Sequence, residues 1–121
     1  MAPTVSSPAP PGLECTYSAS NETHTVRVEP TQDPYGVKEL DVAGRFALKL
    51  VYVTHPADVA SFRIYAYALT DEGPVLLQEA KYLPPFAAPA SHGRTEFTGR
   101  QAVYAHQLSR ELAYACAWVT P

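Results

Sequence analysis

Residues 45–69 read RFALKLVYVTHPADVASFRIYAYAL, two alternating runs on either side of one break. In the first run Phe46, Leu48, Leu50 and Tyr52 fall on one face and Arg45, Lys49 and Val51 on the other. In the second, from Ala60 to Leu69, Phe62, Ile64, Ala66 and Ala68 alternate with Arg63, Tyr65, Tyr67 and Leu69. A period of two is the repeat of a pleated strand, whose side chains point to opposite faces in turn. His55, Pro56, Ala57 and Asp58 form a turn, so the two runs are predicted to pair as a hairpin or meander. One face of that pair is apolar and belongs in a core. The other carries long polar and aromatic side chains.

The same alternation extends outward in both directions, and helical periodicity is nearly absent. Upstream, Leu13, Cys15, Tyr17 and Ala19 interleave with Glu14, Thr16, Ser18 and Ser20, which places Cys15 on the buried face of a strand. A turn at Ser20, Asn21 and Glu22 leads into Thr23–Glu29, Pro30 stops that segment, and Thr31–Gly36 reads as a loop before a short strand at Val37–Val42. Downstream, Asp71 to Pro74 is a turn and Val75–Leu83 a strand, followed by an irregular stretch from Pro84 to Thr95. Glu96–Ala105 is predicted as a strand with Gly99 at a bulge or bend. The last strand, Leu112–Val119, is apolar on both sides and is expected to be covered on both. Short strands spaced by turn signals in one chain predict an antiparallel β-sandwich of about seven strands over residues 12–121. Met1 to Pro11, with four prolines, is expected to be a flexible tail.

At 121 residues the chain fits one domain. With 46% hydrophobic and 17% charged residues it can bury enough apolar surface to offset its ordering entropy. Its 9 basic and 12 acidic residues give no footprint for a phosphate backbone, so nucleic acid is not an expected partner. No apolar run approaches the roughly 18 residues that a bilayer-spanning helix needs, so membrane insertion is not expected either. The tail has no apolar leader region, and an exported chain of this kind would have its signal peptide removed. Glu14 before Cys15 argues against lipid attachment there, because that position normally holds a small residue.

Cys15 and Cys116 are the chain's two cysteines, on the first and last predicted strands. Two buried cysteines can serve as small hydrophobes. The first and last strands of a sandwich are often neighbours, however, and each cysteine sits in an inward set, so a disulfide is expected. Closing a loop of about 100 residues would be worth roughly 4–5 kcal/mol in the chain-entropy model. Such bonds persist outside the reducing cytosol, so the chain is expected to be periplasmic or extracellular.

Tyr114, Ala115 and Cys116 resemble the Tyr-x-Cys element of immunoglobulin domains, in which the tyrosine forms a corner and an inter-sheet disulfide packs on a tryptophan. The likeness covers these three residues. No tryptophan lies between Cys15 and Cys116, and no further strand follows Cys116. The resemblance implies a two-sheet sandwich that is Ig-like in the loose sense.

Catalytic constellations are not expected. His24, His55, His92 and His106 are far apart and none falls in a short ligand motif, so they read as solvated histidines in or beside turns, and no metal or other cofactor is expected. There is no G-x-S-x-G, P-loop or G-x-G-x-x-G. Asp71 and Glu72 lie in turn sequence, and Cys116 sits in an apolar run where a thiol would be unreactive. Asn21, Glu22 and Thr23 match a glycan acceptor triplet and are read as an exposed turn.

What remains is recognition. With Phe62 and Ile64 inward, Arg63, Tyr65 and Tyr67 stand together on the outer face, with Lys49 and Val51 beside them on the paired strand. Tyrosine and arginine are favoured at binding surfaces, although cross-strand tyrosines also stabilise an exposed sheet without binding anything. Phe86, in the proline-rich loop, is a second candidate. A non-enzymatic module that binds another protein is expected. The alternative is a carbohydrate or small-ligand domain that uses the tyrosines as stacking platforms.

Overall fold

The computed structural model describes residues 12–86 and 93–120. The expected tail, Met1–Pro11, lies outside the described residues, as does His92. Among the described residues nine strands run in chain order: β1 (Gly12–Ala19), β2 (Glu22–Val28), β3 (Leu40–Val42), β4 (Phe46–Val53), β5 (Ser61–Thr70), β6 (Gly73–Tyr82), β7 (Gly93–Glu96), β8 (Gln101–Ala105) and β9 (Arg110–Thr120). They form two antiparallel sheets. The first has the order β2-β1-β9-β7, with β8 also paired to β9, and the second the order β3-β4-β5-β6.

The count exceeds the expected seven partly because the predicted Glu96–Ala105 strand divides. Phe97 N and Thr98 N both donate to the Cys116 carbonyl at 3.0 and 3.2 Å, while Cys116 N donates to Thr98 Oγ1 at 2.9 Å. Gly99 turns the chain with a φ of +67°, a conformation that costs glycine little. The long central strand β9 is therefore flanked on one side by β1 and on the other by β7 and then β8. β6 starts two residues earlier than the turn signals suggested. Pro74 is accommodated because β6 pairs only with β5, and an edge strand has an N–H side that needs no partner. A bulge at Leu77 lies between the Ala66–Gln78 and Tyr67–Leu76 pairs.

The inner faces are those the alternation selects. Leu13, Cys15 and Tyr17 on β1, with Leu112, Tyr114, Cys116 and Trp118 on β9, meet Phe46, Leu48, Leu50, Phe62, Ile64, Ala66 and Ala68 of the second sheet. Cys15 and Cys116 are register partners on adjacent strands, joined by a disulfide that faces the core and is fully buried. The bond ties the first strand to the last within one sheet, whereas the immunoglobulin bond crosses between sheets. The Tyr114 hydroxyl donates to Gln78 Oε1 on β6, in the opposite sheet, rather than to the backbone just upstream as in a tyrosine corner.

One end of the core is aromatic. Tyr52, Phe62, Tyr82, Phe86, Phe97 and Trp118 form a connected set of rings, with Phe97 and Trp118 stacked at 5.2 Å. Offset and edge contacts of this kind add about 0.5–1.5 kcal/mol per pair to the burial itself.

Candidate functional site

The outer face of the second sheet follows from its registers. Arg63 on β5 lies opposite Val51 on β4 and Lys81 on β6, Tyr65 opposite Lys49 and Glu79, and Tyr67 opposite Ala47 and Leu76. Side chains directly across a strand pair are about 4.5–5.5 Å apart at Cβ, so these nine positions form one contiguous patch. The alternation of β5 therefore brings Arg63, Tyr65 and Tyr67 together, with Lys49 and Val51 beside them.

Part of this face is covered. β3 pairs with β4 only along Phe46–Leu48, and beyond that Thr31 N donates to the Tyr52 carbonyl at 2.7 Å. The segment after β2 is thereby held beside β4, where Asp33 Oδ1 accepts from Tyr35 N at 3.0 Å and caps a short 3-10 turn, Pro34–Gly36. Val51 and Val53 point outward and are nonetheless only 2% and 7% exposed. Between this loop, the β4–β5 turn and the β5 side chains lies a cleft of about 390 Å³. Val51 and Val53 line it together with Lys49, Arg63, Tyr65 and Tyr67, and Tyr35 and His55 stand at its margin. Tyr35 is 92% exposed.

Electrostatics divide the face. Among the described residues Lys49, Arg63 and Lys81 take part in no ion pair; the pairs present are those of Arg94 with Glu14 and Glu96. The Nε of Arg63 is buried and has no hydrogen-bond partner among the described residues. Burial, then the charges of Glu39, Tyr65 and Glu79, raises the Tyr67 phenol above its ordinary value of 10.0. Tyr67 thus keeps its proton and can donate a hydrogen bond throughout the neutral range.

Phe86 does not join this patch. Its ring lies 5.2 Å from Phe97 and 5.9 Å from Trp118, so it closes the aromatic end of the core. His24 is exposed on β2 beside the β1–β2 turn, 5.5 Å from the Tyr17 ring, and His106 sits in the turn after β8 against Tyr104. Among the described residues no three His, Cys, Asp or Glu side chains cluster as metal ligands would. None of their helices is long and apolar enough to cross a membrane.

The cleft walls were not visible in the sequence. Asp33, Pro34 and Gly36 signal a turn, but nothing local says that it folds back over β4. Comparison with protein-family models, curated proteins and solved structures finds no match, so the site is read from its own geometry.

Proposed function

We propose that this chain is an exported, periplasmic or extracellular module that binds another protein through the outer face of β4, β5 and β6 and catalyses no reaction. The observation that carries the reading is the grouping of Arg63, Tyr65, Tyr67 and Lys49 around a concave, partly apolar floor. Tyrosine and arginine dominate interface energetics because they bring large contact area and directional donors at low entropic cost. The disulfide indicates an oxidising, non-cytoplasmic environment, which is the basis for placing the module outside the cytoplasm.

The test is capture from the compartment in which the chain is found, with the wild type and the Tyr65→Ala/Tyr67→Ala variant. A stoichiometric protein retained by the first and lost by the second supports the reading. Capture that is identical for both defeats it.

A second reading has its own observation. A cleft of about 390 Å³ falls within the roughly 300–1,000 Å³ of small-ligand sites, and its tyrosines could stack on a sugar ring. Glycan-array binding that disappears in the same double variant would favour it.

A further inference from the structure

The sign of the cleft stands out against the rest of the chain. Acids outnumber bases by 12 to 9, yet no Asp or Glu lines the cleft, whereas Lys49 and Arg63 do. The register explains the segregation. Lys49 lies opposite Tyr65, diagonal to Arg63, on the β4 side where the cleft opens. Glu79 occupies the mirror position on β6, and Glu39 acts on Tyr67; neither lines the cleft.

Two cationic stems thus stand at a diagonal spacing of about 7–8 Å over the buried side chain of Val51. A carboxylate between them could take the guanidinium in a bidentate pair and the ammonium as a point charge. The apolar floor would lower the local dielectric and strengthen both contacts.

We infer that the cleft receives an acidic segment of the partner protein, with an Asp or Glu carboxylate seated between Lys49 and Arg63. This rests on the protein-binding reading above. The concave shape selects an extended segment over a flat surface, and Tyr65 and Tyr67 flank its path. Charge complementarity gives the acidic segment its preference over a neutral one.

The experiment is an amide NMR titration of the intact chain with a blocked GEDEG peptide and its isostere GQNQG, both at low salt. The expected result is saturable shifts at Val51, Arg63 and Tyr65 with the acidic peptide alone. The affinity should fall about tenfold in Arg63→Gln and weaken as salt rises. Lys49→Gln serves as a second, independent variant, and unchanged thermal melting shows that each variant is folded. Equal binding of the two peptides would overturn the inference. So would inorganic phosphate saturating the same amides as tightly as the acidic peptide, since the seat would then suit any small anion. If an identified partner is lost with Tyr65→Ala/Tyr67→Ala but kept by both charge variants, the acidic-segment inference falls and the protein-binding reading stands.

Discussion

On the outer face of the first sheet, Arg94 on β7 reaches Glu14 on β1 at 3.1 Å and Glu96 at 3.3 Å, across the rung where Ala117 is the shared register partner. On the outer face of the second sheet, Lys49 and Arg63 have no such partner among the described residues. Both faces come from the same alternation, but the strip where β1 meets β9 on the first is built of short side chains. Thr16, Ser18, Ala113 and Ala115 stay close to the first sheet, and Thr16 and Thr25 pair through their hydroxyls at 3.2 Å. The second sheet presents tyrosines and long cations beside a loop that walls them in. The first sheet also carries the disulfide. On the proposed reading the two sheets divide the labour, one fastening the fold and the other meeting a partner.

The largest effect should come from the fastening. Replacing both Cys15 and Cys116 with Ala releases a closure that spans 101 residues and is expected to lose roughly 4–5 kcal/mol. That is a large fraction of the 5–15 kcal/mol typical of a domain. Urea unfolding measures it, and partner binding at a temperature where the variant is folded should be unchanged. A loss under about 1 kcal/mol would break the division. Next come two neighbours on β5 that face opposite ways. Phe62→Ala opens a hole in the aromatic end of the core and should cost about 3–5 kcal/mol. Arg63→Ala, one residue on, should change stability by less than about 1 kcal/mol while reducing partner affinity.

These two neighbours also show how far sequence reasoning reaches. Alternation places Phe62 inward and Arg63 outward without any knowledge of the sheet order, because the pleat is a local property of the chain. It likewise identified the cysteines as facing inward on the terminal strands. What it could not supply depends on long-range packing. Phe86 looked like a loop residue free to bind, but its ring sits on Phe97 and Trp118, to which no local pattern connects it. The burial of Val51 and Val53 on an outward face goes with the Thr31–Tyr52 bond that holds the loop beside β4, a contact between segments with no shared periodicity. The division of the Glu96–Ala105 strand is half legible: Gly99 signals a bulge or bend, but nothing signals the Thr98 hydroxyl that accepts from Cys116 N.

Between the two faces, Tyr114 links the sheets, and its effect should be intermediate and dependent on pH. Burial, with a smaller contribution from Tyr82, pushes its phenol up to about 12 from 10.0. Because the folded value is the higher one, the neutral phenol favours the fold. Its stabilisation is complete below pH 10 and is lost as pH rises toward 12, amounting to roughly 2–3 kcal/mol. Burial raises Tyr17, Tyr52 and Tyr82 in the same direction, so they steepen the same alkaline limb. Tyr114→Phe is expected to cost about 1–2 kcal/mol at pH 8, by leaving Gln78 without its donor, and to flatten the fall between pH 8 and pH 11. Urea midpoints at the two pH values check both parts, and an unaltered alkaline slope would show that the titration belongs elsewhere.

The smallest expected effect is the sharpest test of the contrast. Thr16→Lys places a long cation on the outer face of the first sheet, where Thr16 has Thr25 on one side and Ala115 on the other. The lost hydroxyl pair is exposed, so stability should move by no more than about 0.5 kcal/mol. Partner binding should not move at all. The matching change on the second sheet, Tyr65→Ala, should leave melting nearly as it was and remove binding. If Thr16→Lys instead abolishes capture and Tyr65→Ala does not, recognition belongs to the outer face of the first sheet, and the cleft beside Arg63 is a by-product of how the loop after β2 packs.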